Sequence, residues 1–119
     1  MIIYGYTKCS TVQKTLKFFD ENNLDYDFID FVANKIDEKT LIDLIKRSNL
    51  NIDDFFNKRG ILYRENNLKD KLVNLSEKEK ISYLLSDGRM IKRPVIDFGD
   101  KIFVGFKEKE ILEYISKKL

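Results

Sequence analysis

Hydrophobic and polar positions follow two different periods in the first part of the chain. Residues 1–6 (MIIYGY) are aromatic and β-branched, which is typical of a strand. The stretch that follows has apolar residues at helical spacing: Val12, Leu16 and Phe19. Residues 25–31 (DYDFIDF) alternate again and predict a second strand. Strand, helix and strand in this order predict a βαβ unit with parallel strands and a right-handed crossover.

Helical spacing dominates the middle of the chain. Residues 37–49 predict a helix, residues 51–60 a short helix that Gly60 closes, and residues 61–75 a loop with a further short helix. Residues 76–79 (SEKE) have the spacing of a capping box, so another helix is expected to begin there.

Two strands and a helix are predicted at the end of the chain. Residues 93–98 (RPVIDF) and 101–106 (KIFVGF) are rich in β-branched and aromatic residues. Residues 99–100 (GD) between them favour a two-residue hairpin turn of type II′ or I′. A last helix should start near Lys107, and its expected buried residues are Ile111, Leu112 and Ile115.

This order of elements predicts one α/β domain with a thioredoxin-like fold. Residues 1–36 would form a βαβ half, residues 93–119 a ββα half, and residues 37–92 a helical insertion between them. The two halves together would make a four-stranded mixed sheet. In open sheets of this kind, sites form beyond the carboxyl ends of parallel strands, near helix N-termini.

Composition excludes several classes of protein. The chain has 119 residues, of which 43% are hydrophobic and 35% charged, which suits one soluble domain. The net charge of +2 comes from interleaved residues of both signs, so we expect no direct nucleic-acid contact and no membrane attachment. One cysteine and no export signal predict a cytoplasmic protein. We also expect a monomer.

The lack of histidine limits the available chemistry. Cys–His and Ser–His–Asp catalysis within the chain are excluded, because the sequence contains no histidine. With Cys9 as the single cysteine, we predict no metal site and no bound cofactor.

Cys9 lies where the first predicted strand meets the first predicted helix. Ser10 and Gln13 have capping-box spacing, which makes Ser10 the predicted N-cap. A helix N-terminus favours a thiolate, and the adjacent Lys8 adds positive charge. The hydroxyls of Ser10 and Thr11 are candidate donors to the sulfur or to a bound oxyanion. The alternative is that Cys9 is a small buried hydrophobe.

Arg93 and Pro94 form the second candidate site. Pro94 is the only proline and begins a predicted strand, where its missing N–H is tolerated. Arg93 has a planar fork of donors suited to a thiolate or an oxyanion. The alternative is an ordinary surface arginine.

Several motifs, in order along nearly the whole chain, resemble the arsenate reductase (ArsC)-like family of thioredoxin-fold proteins, which includes Spx and MgsR regulators and YffB-type proteins. The motifs are residues 6–11 (YTKCST), 55–60 (FFNKRG), 63–65 (YRE), 84–95 (LLSDGRMIKRPV) and 104–106 (VGF). The resemblance implies that Cys9 attacks an oxyanion or forms mixed disulfides, beside Arg93 and a cis-Pro94. The predicted substrate-binding residues are Lys8, Ser10, Thr11, Arg59 and Pro94.

Two departures from the family pattern matter for function. Val12 stands where Spx-type switches have a second cysteine, so an oxidised Cys9 needs an external thiol such as glutathione, or a glutaredoxin. Glutaredoxin-coupled arsenate reductases hold arsenate with three arginines, of which only Arg93 matches. Asn57 aligns with another of them, beside Arg59.

Three functional hypotheses follow. The first is a monothiol oxidoreductase in which the Cys9 thiolate attacks a small oxyanion or a disulfide. The second is a Spx- or MgsR-like regulator that binds the α-subunit of RNA polymerase. The third is a stable domain in which Cys9 is inert. We expect the enzyme.

Overall fold

Four short strands form one mixed sheet in the computed structural model, in the order β2-β1-β3-β4. The central strand β1 (Ile2–Gly5) pairs in parallel with β2 (Asp27–Asp30). On its other side β1 pairs antiparallel with β3 (Val95–Asp97), which forms a hairpin with β4 (Ile102–Val104). This is the mixed thioredoxin-like sheet that the sequence predicts.

Helices connect and cover these strands. The α-helices are α1 (Ser10–Glu21), α2 (Glu38–Ser48), α3 (Ile61–Glu65), α4 (Leu68–Lys71), α5 (Glu77–Ser86) and α6 (Glu108–Lys118). Short 3₁₀ helices occupy Ile52–Phe55, Leu72–Asn74 and Gly88–Met90. The structure describes residues 1–118, so Leu119, the end of the predicted ββα half, lies outside the described residues. Within residues 1–118, no helix has the length and apolar character that a membrane span requires.

The two faces of the sheet bury different clusters, because side chains alternate along each strand. Ile3 of β1 packs with residues of α1 and α6: Phe18, Phe19 and Ile111. Its neighbour Tyr4 faces the opposite side, where the insertion supplies Leu41, Leu44, Leu68 and Leu84. The β1–α1 junction therefore lies at one end of a sheet that is covered on both faces.

Some local predictions hold and others are wrong. Ser76 caps α5 in a reciprocal capping box, as its spacing predicts. Gly99 has φ of 96°, which fits the type II′ turn between β3 and β4. Gly60 does not close a helix but precedes α3, since its N–H donates to the Asn57 carbonyl in a turn (3.0 Å). Leu112 is 43% exposed, because only Ile111 of that pair points into the core.

A partly buried ion pair joins the insertion to the hairpin. The guanidinium of Arg47, on α2, donates to both carboxylate oxygens of Asp97 on β3, each at 2.8 Å. It also donates to the Gly99 carbonyl at 2.9 Å. The Arg47 bonds hold the pKa of Asp97 below its usual range, although partial burial acts in the opposite direction.

Candidate active site

A tight turn carries the chain from β1 into α1 and presents Cys9. The N–H of Cys9 donates to the carbonyl of Tyr6 at 3.0 Å, which closes the turn over residues 6–9. Cys9 itself is partly buried and is the N-cap residue of α1, with an extended backbone (φ −86°, ψ 124°). The thiol therefore stands at the positive end of a 12-residue helix.

The predicted N-cap at Ser10 is wrong by one residue, and the predicted capping box does not form. Ser10 is already the first helical residue, and Cys9 makes no side-chain capping bond. Gln13 does not return to Ser10; instead its Nε2 donates to the carbonyl of Thr7 at 3.0 Å. The helix begins one residue earlier because the Cys9 carbonyl already accepts from the Gln13 N–H (3.0 Å). The N–H groups in the first turn of α1 therefore have no side-chain cap.

The thiol of Cys9 has a lowered pKa. Partial burial raises the pKa of Cys9, but the nearby Val12 amide, Arg93 side chain and Thr11 amide lower it by more. The positive charge of Arg93 acts in the same direction. The site therefore favours the thiolate, which is the nucleophilic form of cysteine.

Arg93 reaches the thiol from the strand side of the site. The peptide bond between Arg93 and Pro94 is cis. The guanidinium of Arg93 lies 5.5 Å from the centre of the Tyr6 ring, and its Nη1 donates to the carbonyl of Arg89 at 3.3 Å. Pro94 is buried, and its carbonyl accepts from the Gly105 N–H at 2.7 Å.

A cleft of about 530 Å³ opens beside Cys9. Asp54 is the one carboxylate on its wall among the described residues. Five cations line the same cleft: Lys58, Arg59, Lys92, Arg93 and Lys107. Such a concentration of positive charge attracts anions and stabilises a thiolate. Within residues 1–118, no three His, Cys, Asp or Glu side chains come together as a metal site would need.

The structure brings only part of the predicted site to this cleft. Cys9, Arg93, Thr11 and Arg59 line it. Three other predicted residues, Lys8, Ser10 and Pro94, are not among the lining residues. Lys8 and Ser10 are exposed on the turn and the helix start, whereas Pro94 is buried behind Arg93.

A short backbone bridge explains how the insertion reaches the site. Phe56 and Ile91 form an antiparallel bridge, in which Asn57 N–H donates to the Met90 carbonyl and Lys92 N–H donates to the Phe55 carbonyl, both at 2.8 Å. The bridge sets residues 57–59 beside residues 92–93. Lys92 and Lys107 were not among the predicted site residues. The sequence feature that could have identified them is that each flanks a predicted strand next to the site.

Asp30 is a further residue that the sequence does not single out. Its carboxylate accepts hydrogen bonds from the turn that precedes Cys9, through Thr7. The available signal was positional, since Asp30 ends β2, next to Gly5 at the carboxyl end of the parallel strand β1.

Known proteins match this chain over most of its length. Protein YusI of Bacillus subtilis is 39% identical over 113 residues, covering 95% of this chain and 96% of that protein. Global transcriptional regulator Spx 2 of Bacillus anthracis is 18% identical over 119 residues, covering 100% of this chain and 89% of that protein.

Solved structures give the same result. The crystal structure of an ArsC family related protein from Bacteroides fragilis superposes with a TM-score of 0.88, at 34% identity over 94% of each chain. A structure described as a possible arsenate reductase, from Streptococcus mutans, has a TM-score of 0.82 and 37% identity, covering 94% of this chain and 96% of that chain. The sequence profile of the ArsC family matches residues 4–114. The chain belongs to the ArsC family.

Proposed function

We propose that this protein is a monothiol-dependent oxidoreductase, in which the Cys9 thiolate attacks an anionic disulfide or oxyanion and an external thiol completes the cycle. The observation that carries the proposal is the position of Cys9 at the N-terminus of α1, with its pKa lowered, on a cleft lined by five cations. Family membership supports thiol chemistry at this position.

With a disulfide substrate, the reaction is two exchange steps. The Cys9 thiolate attacks one sulfur of the substrate, the substrate S–S bond breaks, and the second sulfur leaves as a thiolate. Because residue 12 is valine, the mixed disulfide on Cys9 has no partner within the chain. An external thiolate such as glutathione then attacks the substrate sulfur of the mixed disulfide, which releases Cys9 as the thiolate and a new disulfide.

Arsenate is a second candidate substrate. The thiolate would displace water from arsenic(V); attack of glutathione on the Cys9 sulfur would then release arsenic(III) and leave a mixed disulfide. We expect slow turnover, since Asn57 occupies one aligned arginine position and its Nδ2 donates to the Arg89 carbonyl (3.3 Å). Each missing charge-assisted hydrogen bond removes about 1.5–3 kcal/mol of oxyanion binding.

Turnover of two small disulfides tests the proposal. The protein is mixed with glutathione and either 2-hydroxyethyl disulfide, which is neutral, or the anionic disulfide of mercaptopropionic acid. Formation of oxidised glutathione is followed with glutathione reductase. We expect turnover by the wild type and none by Cys9→Ser. Equal rates for the wild type and Cys9→Ser would remove the proposal.

A matched pair of lysine variants tests the role of the cations. Lys107 lines the cleft, whereas Lys109, two residues later, does not. Lys107→Met should raise KM for the anionic disulfide about fivefold, corresponding to about 1 kcal/mol for a solvent-exposed charge. KM for the neutral disulfide should stay unchanged in Lys107→Met, and both KM values should be unchanged in Lys109→Met. Equal effects of the two variants would remove the anionic substrate from the proposal.

A second candidate function is regulation of transcription through the RNA polymerase α-subunit. The observation that favours it is the likeness to Spx 2 of Bacillus anthracis along the whole chain. A pull-down with the C-terminal domain of the α-subunit tests it. Recovery of that domain by the wild type and by Cys9→Ser alike would support a regulator without turnover, and no recovery would exclude it.

A further inference from the structure

Asp30 and Thr7 fix the turn that presents Cys9. Thr7 is the second residue of the turn that the Cys9 N–H closes on the Tyr6 carbonyl. Its N–H donates to Oδ2 of Asp30 at 3.1 Å and its hydroxyl donates to the same oxygen at 2.6 Å. Its carbonyl accepts from Nε2 of Gln13 at 3.0 Å. Every polar group of Thr7 is therefore engaged.

Asp30 is itself held in place by the loop that follows β2. Its Oδ1 accepts from the N–H groups of Val32 and Ala33, each at 2.9 Å. Its backbone lies at the end of β2, paired with Gly5 of β1. The two carboxylate oxygens thus divide their roles, with Oδ1 binding the loop after β2 and Oδ2 binding the turn before Cys9.

We propose that Asp30 is a positioning residue for the nucleophile: by holding Thr7, it sets the turn so that the Cys9 sulfur faces the amides of Thr11 and Val12. The carboxylate is ionised at any pH where the thiol is active. Partial burial raises its pKa, but the bonds from Thr7, Ala33 and Val32 outweigh burial and lower it to about 2.

The direction in which the pKa of Cys9 changes distinguishes a positioning role of Asp30 from a direct effect of its charge on the thiol. An anion near a thiol disfavours the thiolate, so loss of the Asp30 charge by itself should lower the pKa of Cys9. Loss of a positioning residue should instead raise it, because the sulfur no longer meets the helix amides. Asp30→Asn has nearly the same shape as the wild type, but an amide NH₂ group cannot accept from the Thr7 N–H if Oδ1 keeps its bonds to Val32 and Ala33.

Asp30→Asn is therefore compared with Asp27→Asn, an exposed aspartate on the same strand. Thr7→Val removes one bond to Asp30 without a change of charge, and Thr7→Ser restores the hydroxyl. The Cys9 pKa is measured from thiolate absorbance, and the rate of alkylation by iodoacetamide at neutral pH is measured beside it. Thermal unfolding of each variant reports stability separately.

We expect Asp30→Asn to raise the pKa of Cys9 by about half a unit, which slows alkylation at neutral pH by up to about threefold. Thr7→Val should likewise raise the pKa of Cys9 and slow its alkylation, while Asp27→Asn and Thr7→Ser should match the wild type. If Asp30→Asn does not fold, the Thr7 pair decides the question. A Cys9 pKa that is unchanged or lower in Asp30→Asn or Thr7→Val, whatever the loss of stability, would overturn the proposal.

This inference concerns the nucleophile of the proposed function, but alkylation requires neither substrate nor reductant. An alkylation result in favour of Asp30 can therefore stand even where no disulfide turnover is found. Turnover can equally be found where Asp30 proves to have no effect on the thiol.

Discussion

At the scale of single residues, the reactivity of Cys9 depends on opposing contributions. Partial burial disfavours the thiolate, while the Val12 amide, the Arg93 guanidinium and the Thr11 amide favour it, with a net lowering of the pKa. The amides are backbone groups of α1, so a substitution at their own positions does not remove them. Arg93 is thus the contribution to the lowered pKa of Cys9 that a side-chain substitution can remove. The Tyr6 ring and the Arg89 carbonyl hold the Arg93 guanidinium independently of the thiol.

We predict that Arg93→Met raises the pKa of Cys9 by about half to one unit, because a positively charged donor near the thiol is lost. The measurement is thiolate absorbance against pH, with Cys9→Ser as the blank. Arg64→Met, which removes an exposed arginine of α3 that does not line the cleft, is the matched control. An unchanged pKa in Arg93→Met would show that the helix start alone activates the thiol.

At the scale of elements, the packing of α1 on β1 aligns the turn with the sheet. Val12 is fully buried, and a Cβ on Gly5 would lie 2.8 Å from its Cγ2. Val12 occupies the position where Spx-type switches have a second cysteine, so this chain uses that position for packing and has no internal partner for Cys9. The absence of a side chain at Gly5 is what lets the helix approach the strand this closely.

We predict that Gly5→Ala lowers the free energy of unfolding by about 1–3 kcal/mol, since the valine side chain is stiff and cannot move aside. Val12→Ala should also destabilise, by leaving a cavity. The double variant should cost less than the sum of the two, because the new methyl group enters the space that Val12 leaves. Urea unfolding measures all three; additive costs would contradict the close packing.

At the scale of the whole molecule, local periodicity was enough to predict the sheet and its covering helices, because each strand and helix buries one regular face. The site was harder to predict, since it combines three distant segments. Arg59 of the insertion lines the same cleft as Arg93 because of the backbone bridge between Phe56 and Ile91, and this bridge leaves no periodic pattern in the sequence. The start of α1 was misplaced for a related reason, because the Gln13 side chain bonds to the turn at Thr7.

The stability of the folded molecule should decrease in acid. The pKa values of Asp30 (about 2) and Asp97 lie below the ordinary value for aspartate. A carboxyl group whose pKa is lower in the folded state stabilises the fold fully above the unfolded-state pKa, and this contribution is lost as the pH falls through the folded-state pKa. The free energy of unfolding should therefore be level from about pH 5 to 7 and fall below about pH 4.

Urea unfolding at several pH values measures this dependence. For Asp30 the full linkage contribution is about 2 kcal/mol, which solvent screening reduces to about 1 kcal/mol. Asp97→Asn should lower stability at neutral pH and flatten the acid slope, because the bidentate bond to Arg47 is replaced by a weaker one. A free energy of unfolding that is equal at about pH 3 and pH 6 would contradict the role of these carboxylates.

In the proposed function, Cys9 is a reactive single thiol that needs an external partner. Intact-mass spectrometry after exposure to oxidised glutathione at neutral pH tests it most directly, with Cys9→Ser as the control. We predict one glutathione adduct per wild-type chain, removed by added reduced thiol, and no adduct on the variant. A wild-type chain that remains unmodified while folded would contradict the account and identify Cys9 as an inert, partly buried side chain.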